Sequence, residues 1–409
     1  MSDGDPPGRE RYVDRATDWL EGHAPRRPPA EDLRWGEGPD DVALFKNLTF
    51  EGERDHIDEV RRWQALKSDG GYGSIAWPVE HGGAGLTRAH DQAFARLESD
   101  FVTPTGHEAV GITMNLVAPT ILSVGTDEQK LRYLRPMRRT DEMWCQLFSE
   151  PGAGSDLAGL STKAVRDGDT WVIDGQKVWT SGARYADFGY IICRTDPSAP
   201  RHQGLTAFVL PMDAPGVEVR PLRQMSGGSS FNEVFFTGVR VADSGRLGSV
   251  GAGWSVAITT LGFERAAASG GGGGGGGDLF DRLVLTARFV GRDQDPVIRQ
   301  RLAAIYANGK LRALTRRRVT AAVKAGGVPG PEGSIGKLAW TEAIREMADL
   351  AAELLGPRFS ADTGEWGTFA WTEFLNGVPG YRVAGGTDEI QRNIIAERAL
   401  GLPREPRPS

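Results

Sequence analysis

Three short segments and one acidic residue carry the types from which a redox or transfer site could be assembled. Residues 146–156, Gln-Leu-Phe-Ser-Glu-Pro-Gly-Ala-Gly-Ser-Asp, lead a β-type run (Met143–Ser149) into a turn with little side-chain bulk. Gly152, Ala153 and Gly154 let the backbone approach something flat or anionic; glycine supplies the φ freedom and Ser155 a hydroxyl donor. Alone, such a turn reads more readily as a plain loop. A second segment, Gly175-Gln-Lys-Val-Trp-Thr-Ser-Gly182, sets Trp179 beside the hydroxyls of Thr180 and Ser181. Trp179 reads either as a core aromatic or as a surface for a planar ligand. The third, Gly385-Gly-Thr-Asp-Glu-Ile-Gln-Arg-Asn393, opens a helix on Thr387, a good N-cap. Its first-turn acids, Asp388 and Glu389, partly cancel the pull of that helix end on an anion. Glu264, in Leu261-Gly-Phe-Glu-Arg265, reads as a solvated helix-face residue. With Phe263 before it and Ala266–Ala268 after it, it also reads as a carboxyl raised towards a working base.

Residues 1–40 form a tail with one short helix (Tyr12–Glu21), ended by a Pro-rich link. Residues 41–141 form a helical domain, with helices expected over Glu53–Asp69, Ala89–Ser99, Val110–Leu122 and Asp127–Met137. Residues 142–246 turn to short alternating segments separated by Asp-Gly and Pro-Gly turns, an antiparallel β domain of about seven strands. Residues 247–409 are helical again, over Val256–Ala268, Leu279–Phe289, Pro296–Lys324, Ser334–Leu355 and Thr387–Leu400. The fold class is α+β. Gly270–Gly277 is a run of eight glycines inside this helical stretch. At about 1 kcal/mol per glycine against alanine it must break the helix, as a linker or as a mobile lid.

The three motifs, in this order and at these separations from Ala76 to Pro403, resemble those of the acyl-CoA dehydrogenase family of flavoenzymes. The resemblance implies a β domain that cradles FAD. Gln146, Phe148 and Ser149 would face the flavin, and Ser155 would touch substrate or a cofactor phosphate. Trp179 would pack on the ring, with Thr180 and Ser181 donating to its polar edge, and Thr387 and Glu389 would be further contacts. Oxidising a Cα–Cβ bond needs a base for the α-proton and an acceptor that no side chain provides, so a cofactor must supply it. Many members carry the catalytic Glu immediately before the Gly-Thr of the last motif. Here that position is Gly385, and Glu264 matches the position used by members with the base on the helix after the β domain. Arg265 matches the Arg beside it and is a substrate-contact candidate.

Two further departures concern contacts made between subunits. The usual Arg-x-x-Phe-Gly appears as Thr286-Ala-Arg-Phe-Val-Gly291, and the usual Gln with paired glycines as Glu353-Leu-Leu-Gly-Pro357. A related subunit supplies those contacts, or this branch holds the diphosphate differently. The expected function is α,β-dehydrogenation of an acyl-CoA to a trans-2-enoyl-CoA, with an electron-transfer flavoprotein as electron partner, in a homo- or hetero-oligomer. The alternatives are a partner subunit of a heteromeric enzyme, or a flavin oxidase or monooxygenase on the same fold. The small residues Ala266–Ser269 and the glycine run fit a bulky, branched or ring-bearing acyl group.

Composition narrows the field further. A net charge of −6 without a long basic run argues against a nucleic-acid surface. No apolar run is long enough for a membrane span, and no export signal is visible. Two cysteines, Cys145 and Cys193, suit buried thiols in a reducing cytoplasm. The six histidines show no metal-ligand spacing.

Overall fold

The computed structural model describes residues 9–28, 33–104, 106–269, 276–324 and 330–404. Most of the glycine run and the side chains of Arg265 and Ala266–Ser269 lie outside the described residues. The chain divides into two compact units: residues 1–30, 48–222 and 229–260 form the first, and residues 31–47, 223–228 and 261–409 the second.

The first unit starts with α1 (Arg9–His23), α2 (Phe50–Asp69), α3 (Arg88–Glu98), α4 (Glu108–Ile112), α5 (Ala118–Val124) and α6 (Asp127–Arg139). Side-chain caps fix their starts. Thr49 accepts from the Gly52 N–H, and Thr126 and Gln129 cap each other's backbone reciprocally. Between α4 and α5 the helix widens into one π-helical stretch, Thr113–Val117, where the sequence suggests an uninterrupted helix.

Eight strands follow: β1 (Trp144–Leu147), β2 (Lys163–Asp167), β3 (Thr170–Ser181), β4 (Phe188–Arg194), β5 (Leu205–Pro211), β6 (Val217–Leu222), β7 (Phe231–Ala242) and β8 (Arg246–Leu247). The sheet order is β6-β7-β3-β2-β4-β5-β8, with β1 paired to β4. This corrects the expected count of about seven, because a two-residue strand such as β8 has no alternation to detect. The sheet is mostly antiparallel, as expected, with two parallel exceptions. β1 runs parallel to β4, and β2 meets β4 in parallel at Lys163 and Arg194. The long excursion from β1 to β4 gives the chain length that a parallel pairing requires. Cys145, Leu147, Ile173, Ile191, Phe208 and Val234 fill the sheet's core.

A last helix, α7 (Gly253–Ser269), leaves this unit after Thr260. The second unit contains α8 (Gly276–Phe289), α9 (Pro296–Lys324), α10 (Glu332–Leu355), α11 (Phe369–Val383) and α12 (Asp388–Ile394). Leu283, Ile298, Ile344, Trp371 and Phe374 are fully buried at its centre. Nothing in the sequence pattern marks α11, since Gly377, Pro379 and Gly380 fall inside it and each disfavours a helix. The structure gives two of them a purpose. A Cβ on Gly377 would lie 3.0 Å from Leu44, and one on Gly380 2.9 Å from Phe45, so the 44–45 segment packs directly on the helix backbone. The final helix is also shorter than expected. α12 stops at Ile394 and passes into a π-helical turn, Ile395–Ala399. No described helix is long and apolar enough to cross a membrane.

Candidate active site

The 146–156 segment is built as a strand end tied down by a buried ion pair. Gln146 pairs with Tyr190 across β1 and β4, and Phe148 sets its ring edge-on to Tyr190 at 5.1 Å. The Ser149 carbonyl accepts from the Val178 N–H at 2.9 Å, joining this segment to β3. Lys177, 0% exposed, donates to the Phe148 carbonyl and to Glu150 Oε1, each at 2.9 Å. Glu150 also accepts from the Ser161 N–H and hydroxyl, both at 2.7 Å, and from the Thr162 N–H at 2.9 Å. Burial opposes its charge, but Lys177 and these donors win and hold its pKa down at about 2. This pair was not anticipated. Its signal was available, because Lys177 follows Trp171 and Ile173 on the inward phase of β3, where a cation needs an acid partner.

Beyond Glu150 the turn closes through reciprocal bonds between the Glu150 and Ala153 backbones, both at 3.0 Å. Neither Gly152 nor Gly154 has a positive φ, so φ freedom is not what glycine contributes here. A Cβ on either would meet no protein atom within 4 Å, and with the exposed Ser155 they leave the turn's outer face low and open.

Trp179 is not a core aromatic. It is 61% exposed and holds a φ of +60°, where the β3–β7 register slips between Lys177 and Thr180. A bulky residue in that left-handed region is strained, and such strain collects at functional sites. Thr180 points inward, 1% exposed, and its Oγ1 has no hydrogen-bond partner, while its carbonyl accepts from Asn232 Nδ2 at 2.9 Å. Ser181 donates its hydroxyl to Glu108 Oε1 at 2.8 Å. Glu108 was not singled out from the sequence.

In the second unit the structure brings Glu264 and Gly385 together. Gly385 and Gly386 have φ of +65° and +89°, a consecutive left-handed pair that turns the chain into α12. A Cβ on Gly385 would lie 3.3 Å from Glu264 Oε1. Gln391 reaches back to donate Nε2 to the Gly385 carbonyl at 2.8 Å and to the Gly386 carbonyl at 3.2 Å. Thr387 caps α12, accepting from the Ile390 N–H at 3.3 Å.

Asp388 does not project its charge at the helix end, as the sequence suggests. It is buried, and accepts from Thr341 Oγ1 at 2.7 Å, Arg382 Nε at 2.7 Å and Lys337 Nζ at 3.2 Å. Two cations thus neutralise it. Glu389 is exposed, with Arg392 at 3.6 Å. Thr387 and Glu389 line a groove of about 660 Å³ together with Arg345 and Arg382. The departed motifs have structural work of their own. The Thr286 hydroxyl accepts from Trp371 Nε1 at 3.0 Å, Phe289 stacks on Trp35 at 4.0 Å, and Glu353 pairs with Arg301 at 2.6 Å.

Three family models match the chain in order: the acyl-CoA dehydrogenase N-terminal domain over residues 47–141, the middle domain over 145–239 and the C-terminal domain over 251–400. The acyl-CoA dehydrogenase IpdE1 of Mycobacterium tuberculosis is 39% identical over 373 residues, covering 89% of this chain and 94% of the relative. Among solved structures, the Tcur3481-Tcur3483 steroid ACAD matches with a TM-score of 0.74 and 28% identity, over 99% of this chain and 100% of that one. The ChsE4-ChsE5 complex from Mycobacterium tuberculosis matches with a TM-score of 0.72 and 29% identity, over 99% and 100%. The chain therefore belongs to the acyl-CoA dehydrogenase family, whose members are FAD-dependent oxidoreductases. Its residues fit that cofactor. The exposed, strained Trp179, the unpartnered buried hydroxyl of Thr180 and the low turn at Gly152–Gly154 are features the fold alone does not use.

Proposed function

We propose that this chain catalyses α,β-dehydrogenation of an acyl-CoA thioester to the trans-2-enoyl-CoA, with Glu264 as the base, and passes the electrons to an electron-transfer flavoprotein. The observation that carries the base assignment is the 3.3 Å between Glu264 Oε1 and the Cβ position of Gly385. A carboxylate from α7 reaches the place where, by family resemblance, others put one from the segment before α12. At Gly385 itself a side chain is disfavoured twice, by a φ of +65° and by the approach of Glu264. FAD, when bound, supplies the two-electron acceptor for the β-hydrogen.

The chain's own residues do the rest. Gln146, Phe148 and Ser149 present the strand end to the flavin, Trp179 packs on it, and Thr180 and Ser181 meet its polar edge. Thr387 and Glu389 add contacts from the start of α12. Ser155 and Arg265 bind substrate. Glu264 removes the α-proton from the thioester.

The acyl group is ring-bearing. The similarity to the Tcur3481-Tcur3483 steroid ACAD supports this, as do the small residues Ala266–Ser269 and the glycine run. Anaerobic mixing of the FAD-loaded protein with ring-bearing and straight-chain acyl-CoAs tests it. The expected result is bleached flavin and a product two hydrogens lighter with the ring-bearing thioester. Bleaching by straight-chain thioesters alone overturns the substrate class, and bleaching by none overturns the reaction.

The assembly is heteromeric. On α9, no residue from Tyr306 to Ala322 is buried, and Tyr306, Leu311 and Leu314 are exposed. The same helix carries Lys310, Arg312, Arg316, Arg317 and Arg318 with no acid among them. Two copies facing each other along this helix would repel, so a related subunit with an acidic complement covers it better. The similarity to the ChsE4-ChsE5 complex and to the doubly named Tcur3481-Tcur3483 steroid ACAD supports the same reading. The buried free thiols of Cys145 and Cys193 suit a reducing, cytoplasmic setting.

A further inference from the structure

Glu108 is held against the end of β3 by the hydroxyl of Ser181. His107 caps α4, its Nδ1 accepting from the Ala109 N–H at 3.2 Å, while its Nε2 lies 3.3 Å from Glu53 Oε1. From the other side comes Gly182, with a φ of +64°, where a Cβ would meet the Ala109 Cβ at 2.6 Å. Only glycine lets β3 and α4 approach this closely. The approach delivers the Ser181 hydroxyl to Glu108 Oε1 at 2.8 Å. Just beyond α4 the helix opens into the π-helical stretch Thr113–Val117, a distortion frequent near functional sites. Desolvation pushes the Glu108 carboxyl up, the Ser181 bond and His107 pull it down, and Glu53 adds to the rise.

A hydroxyl has one proton. While Glu108 is ionised it takes the Ser181 proton, and towards a flavin Ser181 offers only lone pairs, backed by a negative charge. When Glu108 is protonated it can donate to Ser181, which then releases its own proton towards the ligand. We propose that Glu108 is a positioning residue that sets, through Ser181, the hydrogen-bonding sense and negative charge felt by the bound flavin, and so its reduction potential. This rests on the reading that β3 faces FAD. An ionised carboxylate one hydroxyl away opposes adding electrons to the ring, so it holds the potential low.

The test is redox titration of the FAD-loaded protein, in the assembly in which it is isolated, at mildly alkaline pH. It compares wild type, Glu108→Gln, Glu108→Asp, Ser181→Ala and the Glu108→Gln/Ser181→Ala double variant, with flavin content and visible spectrum recorded for each. We expect E108Q to keep its flavin and to shift the ratio of oxidised to reduced flavin at fixed poise about tenfold towards reduced. That is about 30 mV for a two-electron couple. E108D, which keeps the charge, should lie closer to wild type than E108Q does. In the S181A background E108Q should shift the potential by less than in wild type, leaving the part due to the charge alone. A full complement of flavin with an unmoved potential in E108Q overturns the inference. An equal shift with and without Ser181 overturns the route through the hydroxyl. A wild-type protein that takes up no FAD overturns the underlying assignment of β3, a result distinguishable from the other two.

Discussion

Glu264 and Gly385 lie against each other, since a Cβ at 385 would sit 3.3 Å from Glu264 Oε1. The approach is tight, and the φ of +65° at 385 favours glycine on its own account. Gly385→Ala should cost about 1–2 kcal/mol for a Cβ in a left-handed conformation. It should also reduce turnover by more than that loss of stability explains, since the methyl crowds Glu264. Denaturant unfolding read beside kcat separates the two effects.

The Glu150–Lys177 pair supplies a second prediction. Lys177→Met leaves a buried carboxylate uncompensated and should destabilise the fold by about 3–5 kcal/mol, measured by urea unfolding. The pH dependence has a definite sign. Glu150 is held at about 2 against an ordinary 4.5, so its stabilising contribution is present above the ordinary value and is lost as pH falls through that window. Glu150→Gln should flatten the acid limb of the stability profile over the same range. A limb of unchanged steepness contradicts the account of this pair.

At the scale of elements, the turn into α12 shows how much a helix start depends on residues inside the helix. Gln391 holds the carbonyls of both left-handed glycines and Asp388 is locked by Thr341, Arg382 and Lys337. Gln391→Ala should therefore cost about 1–3 kcal/mol by leaving two carbonyls short of a donor. Flavin retention should fall with it, read as the absorbance remaining after gel filtration; full retention would argue that this turn does not support the cofactor.

The elements were unevenly legible. α2 announces itself through apolar residues at three-residue spacing, α6 through acids at its start and arginines at its end, and the central sheet through its alternation and turns. α11 was hidden because Gly377, Pro379 and Gly380 answer to a tertiary demand, the packing of Leu44 and Phe45, that no local rule contains. The motifs pointed to Trp179, Thr180 and Glu264, yet Lys177, Glu108 and Gln391 were passed over. Their roles come from partners 27, 73 and 6 residues away, and pairings of that kind are settled by the fold.

For the whole molecule, the surface of α9 carries the prediction about assembly. The basic, uncovered length of α9 predicts that the chain isolated alone associates weakly with itself, and that a related acidic subunit restores a defined oligomer. Light scattering with and without that subunit checks this, and a stable homo-oligomer of the lone chain would contradict it. The central claim, that Glu264 is the base of an acyl-CoA dehydrogenase, is tested most directly by anaerobic titration with a ring-bearing acyl-CoA of wild type and Glu264→Gln, both loaded with FAD. The account predicts equal flavin content, rapid bleaching in wild type and at least a thousandfold slower bleaching, roughly the upper part of the range for losing a general base, in the variant. Bleaching of the variant at the wild-type rate would contradict it.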